Sequence, residues 1–268
     1  TEREGLRVAI VGKPNVGKSS LCNYLLGKKR MLVSDIAGTT VDAIEDCFSY
    51  NEKDFIIVDT AGLRRQAKRN DGVEFLSAIK SHKAIDQADL ILLMVDGQEG
   101  PTKQDAHVVE YILSKHKAVI MVANKVDLAK KKIPAFRKWF KETTEKEFHF
   151  FTDIPIAFTC ANTGTGVNQL LDQVIHIWDR LNIKIPTSQL NKFFYNVIRQ
   201  APSPVYATKN VKFYYLTQTD QVPPSFIAFA NQPDGVTPSY RRFLSNRIKK
   251  NWDLAGLPVR IFVMKSGR

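Results

Sequence analysis

Gly12-Lys13-Pro14-Asn15-Val16-Gly17-Lys18-Ser19 joins an apolar run, Leu6 to Val11, to Leu21, Leu25 and Leu26 at helical spacing. A buried strand, a glycine-rich turn and a helix, in that order, distinguish a phosphate-binding loop from a chance GxxxxGKS. Two glycines let the backbone curl around a phosphate, so that successive N–H groups point inward and the helix dipole adds to their field. Lys18 is expected to meet β- and γ-phosphate oxygens, and Ser19 to give its hydroxyl to Mg²⁺. Gly12 through Ser19, with the adjoining Ser20, are the predicted phosphate-side contacts. An ordinary glycine loop is the plainer alternative, and the lysine and hydroxyl standing in register argue against it.

Apolar runs of strand length recur at Leu6–Val11, Phe55–Val58, Leu90–Val95, Ala118–Ala123 and Ile154–Phe158. Helical patterns intervene, as over 106–113 and over 170–181, where Leu170, Leu171, Val174, Trp178 and Leu181 share a face. This alternation predicts a mostly parallel, doubly wound α/β sheet that binds ligands at the carboxyl ends of its strands. Ala43–Tyr50 reads as a further, edge strand, and Lys130-Lys131-Lys132 as a solvated charge run.

The remaining informative stretches lie where such a sheet presents them to a nucleotide. Asp59-Thr60-Ala61-Gly62 follows the second run: its carboxylate can hold a Mg²⁺ water, and the Gly62 N–H can meet a γ-phosphate. In the loop before it, Ala37-Gly38-Thr39-Thr40 offers the Thr40 hydroxyl to complete the metal shell. Asn124-Lys125-Val126-Asp127 ends another run, and a carboxylate at Asp127 can accept both the N1–H and the 2-amino protons of guanine, a pair adenine lacks. Alone NKxD is a weak match; after a phosphate loop and a DxxG it is strong. Thr159-Cys160-Ala161-Asn162 is the loosest of the set, with the backbone amides of Cys160 and Ala161 expected near a guanine carbonyl.

Bulk properties bound the rest. The 268 residues carry a net charge of +12, with 27 basic and 24 acidic residues before Thr187 and 12 basic and 3 acidic from there on. A break in composition near Ile185-Pro186-Thr187 predicts two domains, 1–186 and 187–268. The one-signed second part suits an anionic partner, RNA foremost, although a solvated basic face is the common alternative. Three dispersed cysteines and five scattered histidines imply neither a disulfide framework nor a structural metal. No run approaches the ~18 apolar residues of a membrane span, and Thr1-Glu2-Arg3-Glu4 is no signal peptide, so a soluble, cytoplasmic protein is expected.

Beyond Thr187 the pattern reads helix over Leu190–Arg199, strands over Val211–Thr217 and Ser225–Ala230, helix over Tyr240–Trp252 and a last strand over Val259–Met264. That is a small α+β layout, helices on one face of a sheet. Phe193, Phe213, Tyr214 and Phe226 are expected in its core rather than as stacking platforms. Arg242, Lys249 and Lys250 are expected to cluster on one side of the second helix, as a stripe for RNA phosphates or, equally, as the charged side of a domain interface.

GKPNVGKS, GTT, DTAGLRR, NKVD and CANTGTGV together resemble a translation-factor-class GTPase of the Era/TrmE type and, within that class, the Der (EngA) family of bacterial ribosome-assembly GTPases. LNKFF, VKFYYLTQ, VPPSFIAFANQP, SYRRFLSNRIKKNW and GLPVRIF resemble that family's KH-like domain, so the resemblance covers essentially the whole chain. It implies the second of two tandem GTPase domains followed by the KH-like domain. It implies GTP and GDP as ligands, and Mg²⁺ held by Ser19, Thr40 and, through water, Asp59. The partners implied are the large ribosomal subunit or its precursor, ribosomal RNA and the family's first GTPase domain; no membrane is implied. Asn15, Lys18, Thr40 and Gly62 carry over as the catalytic set. Leu63, after the DxxG glycine, cannot orient a water; the resemblance supplies K⁺ beside Asn15 in place of an arginine finger, with Arg64 and Arg65 as competitors.

Two departures stand out: Ala37-Gly38-Thr39-Thr40-Val41-Asp42 replaces the family's Pro-Gly-Thr-Thr-Arg-Asp, and Cys160-Ala161 its Ser-Ala. No GxxG follows Thr187, which argues against the usual KH clamp on RNA. Three functional classes compete: a regulatory GTPase, a metabolic P-loop enzyme such as a nucleotide kinase, and an RNA-binding module with a vestigial nucleotide site. NKVD and the lack of a phosphoryl-acceptor motif favour the first, and the intact loops disfavour the third.

Overall fold

The computed structural model describes residues 5–27, 46–68, 82–129 and 133–266. The chain divides into two compact units, Thr1–Ile175 and His176–Arg268. The division falls inside a helix, upstream of the compositional break at Pro186.

The first unit runs β1 Leu6–Gly12, α1 Lys18–Gly27, β2 Asp46–Tyr50, β3 Lys53–Ile57 and α2 Thr60–Lys68, then a helical stretch over 82–87 (α3). It continues with β4 Leu90–Asp96, α4 Lys103–Ser114, β5 Ala118–Asn124, a 3₁₀ turn Val126–Leu128, α5 Ile133–Glu147, β6 Ile156–Phe158 and α6 Val167–Leu181. The strand order is β2-β3-β1-β4-β5-β6. Every neighbouring pair is parallel except β2 with β3, an antiparallel edge. The order reverses at β1, which puts the crevice of a doubly wound sheet at that strand's carboxyl end.

Strands β4 and β5 are buried on both faces, which is why each reads as an unbroken apolar run. Phe136, Phe140 and Phe148 pack with Val109 and Ile112 against one side of them. The run predicted to be a strand from Ile154 pairs only from Ile156, since Pro155 lacks an N–H and offers the ladder just its carbonyl, which accepts from Met121 N at 2.9 Å. Of the predicted strand 43–50, residues 46–50 form β2, while 43–45, like Lys130–Lys132, lie outside the described residues. On α6 the buried stripe takes in Ile177 instead of Trp178, because 177 sits between 174 and 181 on a 3.6-residue spiral.

The second unit begins within α6 and contains α7 Thr187–Gln200, the hairpin β7 Val205–Tyr206 with β8 Lys209–Asn210, β9 Phe213–Gln218, β10 Ser225–Ala230, α8 Pro238–Trp252 and β11 Arg260–Lys265. Its sheet has the order β11-β10-β9, antiparallel between β9 and β10 and parallel between β10 and β11. Thr237 caps α8 by accepting from Tyr240 N at 3.2 Å, with Pro238 at the first helical position. Leu190, Phe194 and Val197 of α7 and Leu244 and Ile248 of α8 are buried together with Leu216, Phe226, Ala228 and Ile261 of the sheet. Phe194 meets Phe213 edge-on at 5.6 Å and Phe193 meets Trp252 edge-on at 4.7 Å, whereas Tyr214 is exposed. The predicted α/β unit and small α+β unit are both present.

Candidate functional site

The turn between β1 and α1 depends on backbone that side chains resist. Gly12 has φ +149° and Gly17 φ +103°, and a Cβ at either would strike the Met94 carbonyl or the Asn124 carboxamide. Asn15 also turns left-handed, φ +63°, a conformation asparagine tolerates better than most residues. Lys18, the first residue of α1, is buried. Its Nζ donates to the carbonyls of Gly12 at 2.8 Å and Lys13 at 2.6 Å. Burial pushes its pKa down to about 8. A buried ammonium whose hydrogen-bond partners among the described residues are neutral carbonyls retains a strong preference for an anion beside it.

Beyond β3 the chain turns through Asp59, φ +55°, directly into α2. Gly62 N donates to the Asp59 carbonyl at 3.0 Å and to Asp59 Oδ1 at 3.3 Å. A Cβ on Gly62 would meet that carboxylate at 2.5 Å, so a larger residue there would require the Asp59 side chain to move. Ser19 Oγ donates to the Leu63 carbonyl at 3.1 Å, joining the start of α1 to α2. Arg64 is engaged elsewhere: its guanidinium holds the Asp46 carboxylate at 2.9 and 3.0 Å. Thr40 and its neighbours 37–42 lie outside the described residues, and nothing is described of the Arg65 side chain.

Asn124 ties the remaining loops together. From the end of β5 its buried Nδ2 donates to the Val16 carbonyl of the glycine-rich turn at 2.8 Å. Its Oδ1 accepts from Thr159 Oγ1 at 3.1 Å and from Ala161 N at 2.9 Å. One side chain therefore joins three separate predicted loops. Lys125 adopts φ +62° and leads into the 3₁₀ turn, which leaves Asp127 exposed at its middle.

Two expectations change. The amides of Cys160 and Ala161 were expected to face a base carbonyl, yet Cys160 N donates to the Thr165 carbonyl at 2.9 Å and Ala161 N to Asn124. Both are consumed inside the protein, the first in a β-bridge between Cys160 and Thr165 and the second by the Asn124 carboxamide. The stripe Arg242, Lys249 and Lys250 also breaks up. Lys249 is 5% exposed, next to buried Ile248, and the exposed line along α8 is Ser239, Arg242, Asn246 and Lys250.

Asp46, Asp96, Thr102 and Asp105 were not picked out from the sequence. Thr102-Lys103-Gln104-Asp105 does carry the [ST]-x-x-[DE] signature of a helix start ahead of an apolar run. Cys22 is buried, and its thiol is pushed up to about 11 by that burial and by Asp46, so it is no nucleophile near neutrality. Among the described residues no group of three or more His, Cys, Asp or Glu could hold a metal, and no helix is long and apolar enough to cross a membrane.

Residues 7–125 match the family described as 50S ribosome-binding GTPase, and residues 184–264 the family described as KH-domain-like of EngA bacterial GTPase enzymes, C-terminal. The chain is 38% identical over 266 residues to GTPase Der of Caldanaerobacter subterraneus subsp. tengcongensis, covering 99% of this chain and 60% of that protein. It is 39% identical over 258 residues to GTPase Der of Bacteroides fragilis, covering 96% and 59%. The chain thus spans about 60% of the length of the curated relatives it matches. A solved structure of Era in complex with MgGDPNP and nucleotides 1506–1542 of 16S ribosomal RNA aligns at 22% identity with TM-score 0.49, covering 98% of this chain and 93% of that one.

Proposed function

Because the chain belongs to the GTPase Der family, we propose that it binds guanine nucleotide around Asn124 and hydrolyses GTP to GDP and phosphate. It does so as the second GTPase domain of a longer protein whose nucleotide state governs docking to the large ribosomal subunit or its precursor. The observation that carries this reading is the Asn124 side chain, which brings the phosphate loop, NKVD and the Thr159–Ala161 loop into one site. Asp127 reads guanine, and the amides of the 12–17 turn and Lys18 hold phosphates; Gly62 N, which donates to Asp59 in this structure, must leave it to meet a γ-phosphate. A hard hydroxyl and a hard carboxylate, Ser19 and Asp59, suit Mg²⁺, which takes oxygen ligands and otherwise keeps water and phosphate; Thr40 completes that set. When bound, the ion neutralises phosphate charge.

Buried Leu63 cannot position a water, and Arg64 is committed to Asp46. For charge compensation the family resemblance points to K⁺ beside Asn15, with Arg65 as the remaining competitor. GTP turnover without added acceptor is expected to be faster in KCl than in NaCl at matched ionic strength, and Asn15→Asp or Asn15→Ala should abolish the difference. Equal rates in both salts would return the role to the arginines. Phosphoryl transfer only when an acceptor is added would favour a kinase.

Lys18 makes binding pH-dependent. In the free protein its ammonium loses its proton near pH 8; between phosphates it keeps it. Above pH 8 nucleotide binding must then take up a proton, so affinity is expected to fall by about tenfold per pH unit, and to be flat below it. GDP titrations between pH 7 and 9 check the sign: affinity rising with pH contradicts it.

Ribosomal RNA is the proposed partner of the second unit, met through Arg242 and Lys250, eight residues apart on the exposed line of α8 and about 12 Å along its axis. Without a GxxG, phosphate contacts dominate and sequence preference is weak. Reversing both charges should weaken ribosomal-particle binding and flatten its salt dependence by about one log unit for each RNA phosphate no longer neutralised. An unchanged salt slope would remove these residues from the interface.

A further inference from the structure

We infer that the connection from Asp96 to Asp105, which provides no predicted nucleotide contact, braces the phosphate loop against the base loop, with Asp105 a positioning residue that acts through Lys13. The inference rests on the guanine-nucleotide reading of the site.

The connection is anchored at both ends. At its start Asp96 is the register partner of Asn124 in the β4–β5 ladder. Its Oδ2 accepts from Lys125 Nζ at 2.7 Å, Gly97 N donates to the Asn124 carbonyl at 2.7 Å, and Gln98 Nε2 donates to the Leu128 carbonyl at 2.9 Å. These three bonds hold NKVD and its 3₁₀ turn. Burial works against ionising Asp96, yet the bonds from Lys125 and the Gln98 amide keep its carboxyl below the usual range, so the ion pair with Lys125 is a charged one.

At its far end Lys13 Nζ donates to Thr102 Oγ1 at 2.7 Å and lies 3.5 Å from Asp105 Oδ2. That same Asp105 oxygen accepts from Thr102 N at 2.9 Å and Thr102 Oγ1 at 2.7 Å. Asp105 is only 2% exposed, a burial that a carboxylate sustains only when hydrogen-bonded and paired. The Lys13 side chain is thereby drawn to the start of α4, while its carbonyl accepts from Lys18 Nζ at 2.6 Å. Between the anchors the segment is a tight turn: Gly100 N donates to the Asp96 carbonyl at 2.9 Å, and a Cβ on Gly97 would strike the Asn124 carbonyl. A nucleotide spans both loops, so its affinity depends on their spacing being set before it arrives.

Asp105 also caps α4, so the test must separate bracing from folding. In Asp105→Asn the dissociation of a fluorescent GDP analogue is expected to quicken about tenfold and KM for GTP to rise in step, with kcat within about twofold. Lys13→Met leaves the α4 cap intact and should quicken dissociation by a similar factor. The double variant should do no worse than either single one, whereas independent effects would multiply to about a hundredfold. Thermal melting of the nucleotide-free variants gives the comparison: a structural role alone lowers melting temperature in Asp105→Asn and leaves dissociation unchanged. That result, or multiplicative effects, overturns the brace while the site reading stands. Failure of the unmodified chain to bind the GDP analogue would overturn the nucleotide assignment itself.

Discussion

Replacing Asp127 with Asn is expected to weaken GTP by about 10⁴-fold while xanthine nucleotides come to bind comparatively well. A carboxylate accepts two hydrogen bonds side by side from guanine N1–H and the 2-amino group. A carboxamide accepts only one, and turns its NH₂ toward a donor. Xanthine carries a carbonyl where guanine carries the amine, so donor meets acceptor again. Asp127 lies exposed on the 3₁₀ turn that follows Lys125, so the substitution leaves the packed hub at Asn124 untouched and melting temperature should barely move. Competition of GTP, ATP and XTP against a fluorescent GDP analogue checks it. Equal binding of ATP and GTP to the unmodified chain would end the guanine assignment.

Asn124→Ala should do more damage, and of a different kind. It removes a buried group that makes three hydrogen bonds, to the Val16 carbonyl, Thr159 Oγ1 and Ala161 N. Buried partners left without a bond cost about 1–3 kcal/mol each, with some relief where water can enter, so a net loss of about 3 kcal/mol is expected. For a unit of this size that lowers Tm by about 6–12 °C. Nucleotide affinity should fall by at least about a hundredfold, because the phosphate loop and the base loops lose their common tie. Asn124→Ser tests the reasoning, since a shorter hydroxyl cannot span the three loops and should recover little of either loss. Full affinity with a lowered Tm would mean that Asn124 serves the fold and not the site.

The contrast between Asp127 and Asn124 shows how much of the site was legible beforehand. Both were named from NKVD, but the sequence assigned a role only to Asp127, whose partner would be a ligand with a known pattern of donors. The role of Asn124 depends on Val16 and Ala161, distant in the chain on either side. Lys13 shows the same limit. As part of the glycine-rich turn it was expected beside a nucleotide, and its side chain instead reaches Thr102 and Asp105. Thr102 and Asp105 were readable as a helix start, though not as a tether. Lys249 was placed by counting turns on an isolated helix, which fixes angles between residues and leaves open which arc the sheet will cover.

By itself the sequence determined what local backbone physics enforces. Gly12 and Gly17 must stand where φ turns positive; unbroken apolar runs such as Leu90–Val95 must be strands covered on both faces; and a motif following such a run lies at a strand's carboxyl end. Those constraints act over a few residues, so they survive without a fold. Only the tertiary structure decided which cations on α8 meet solvent, where the Ala161 amide goes, and which side chains join one loop to another. Each of these depends on groups far apart in the chain arriving within about 3 Å of each other, and chain-distant approach is set by the packing of whole strands and helices.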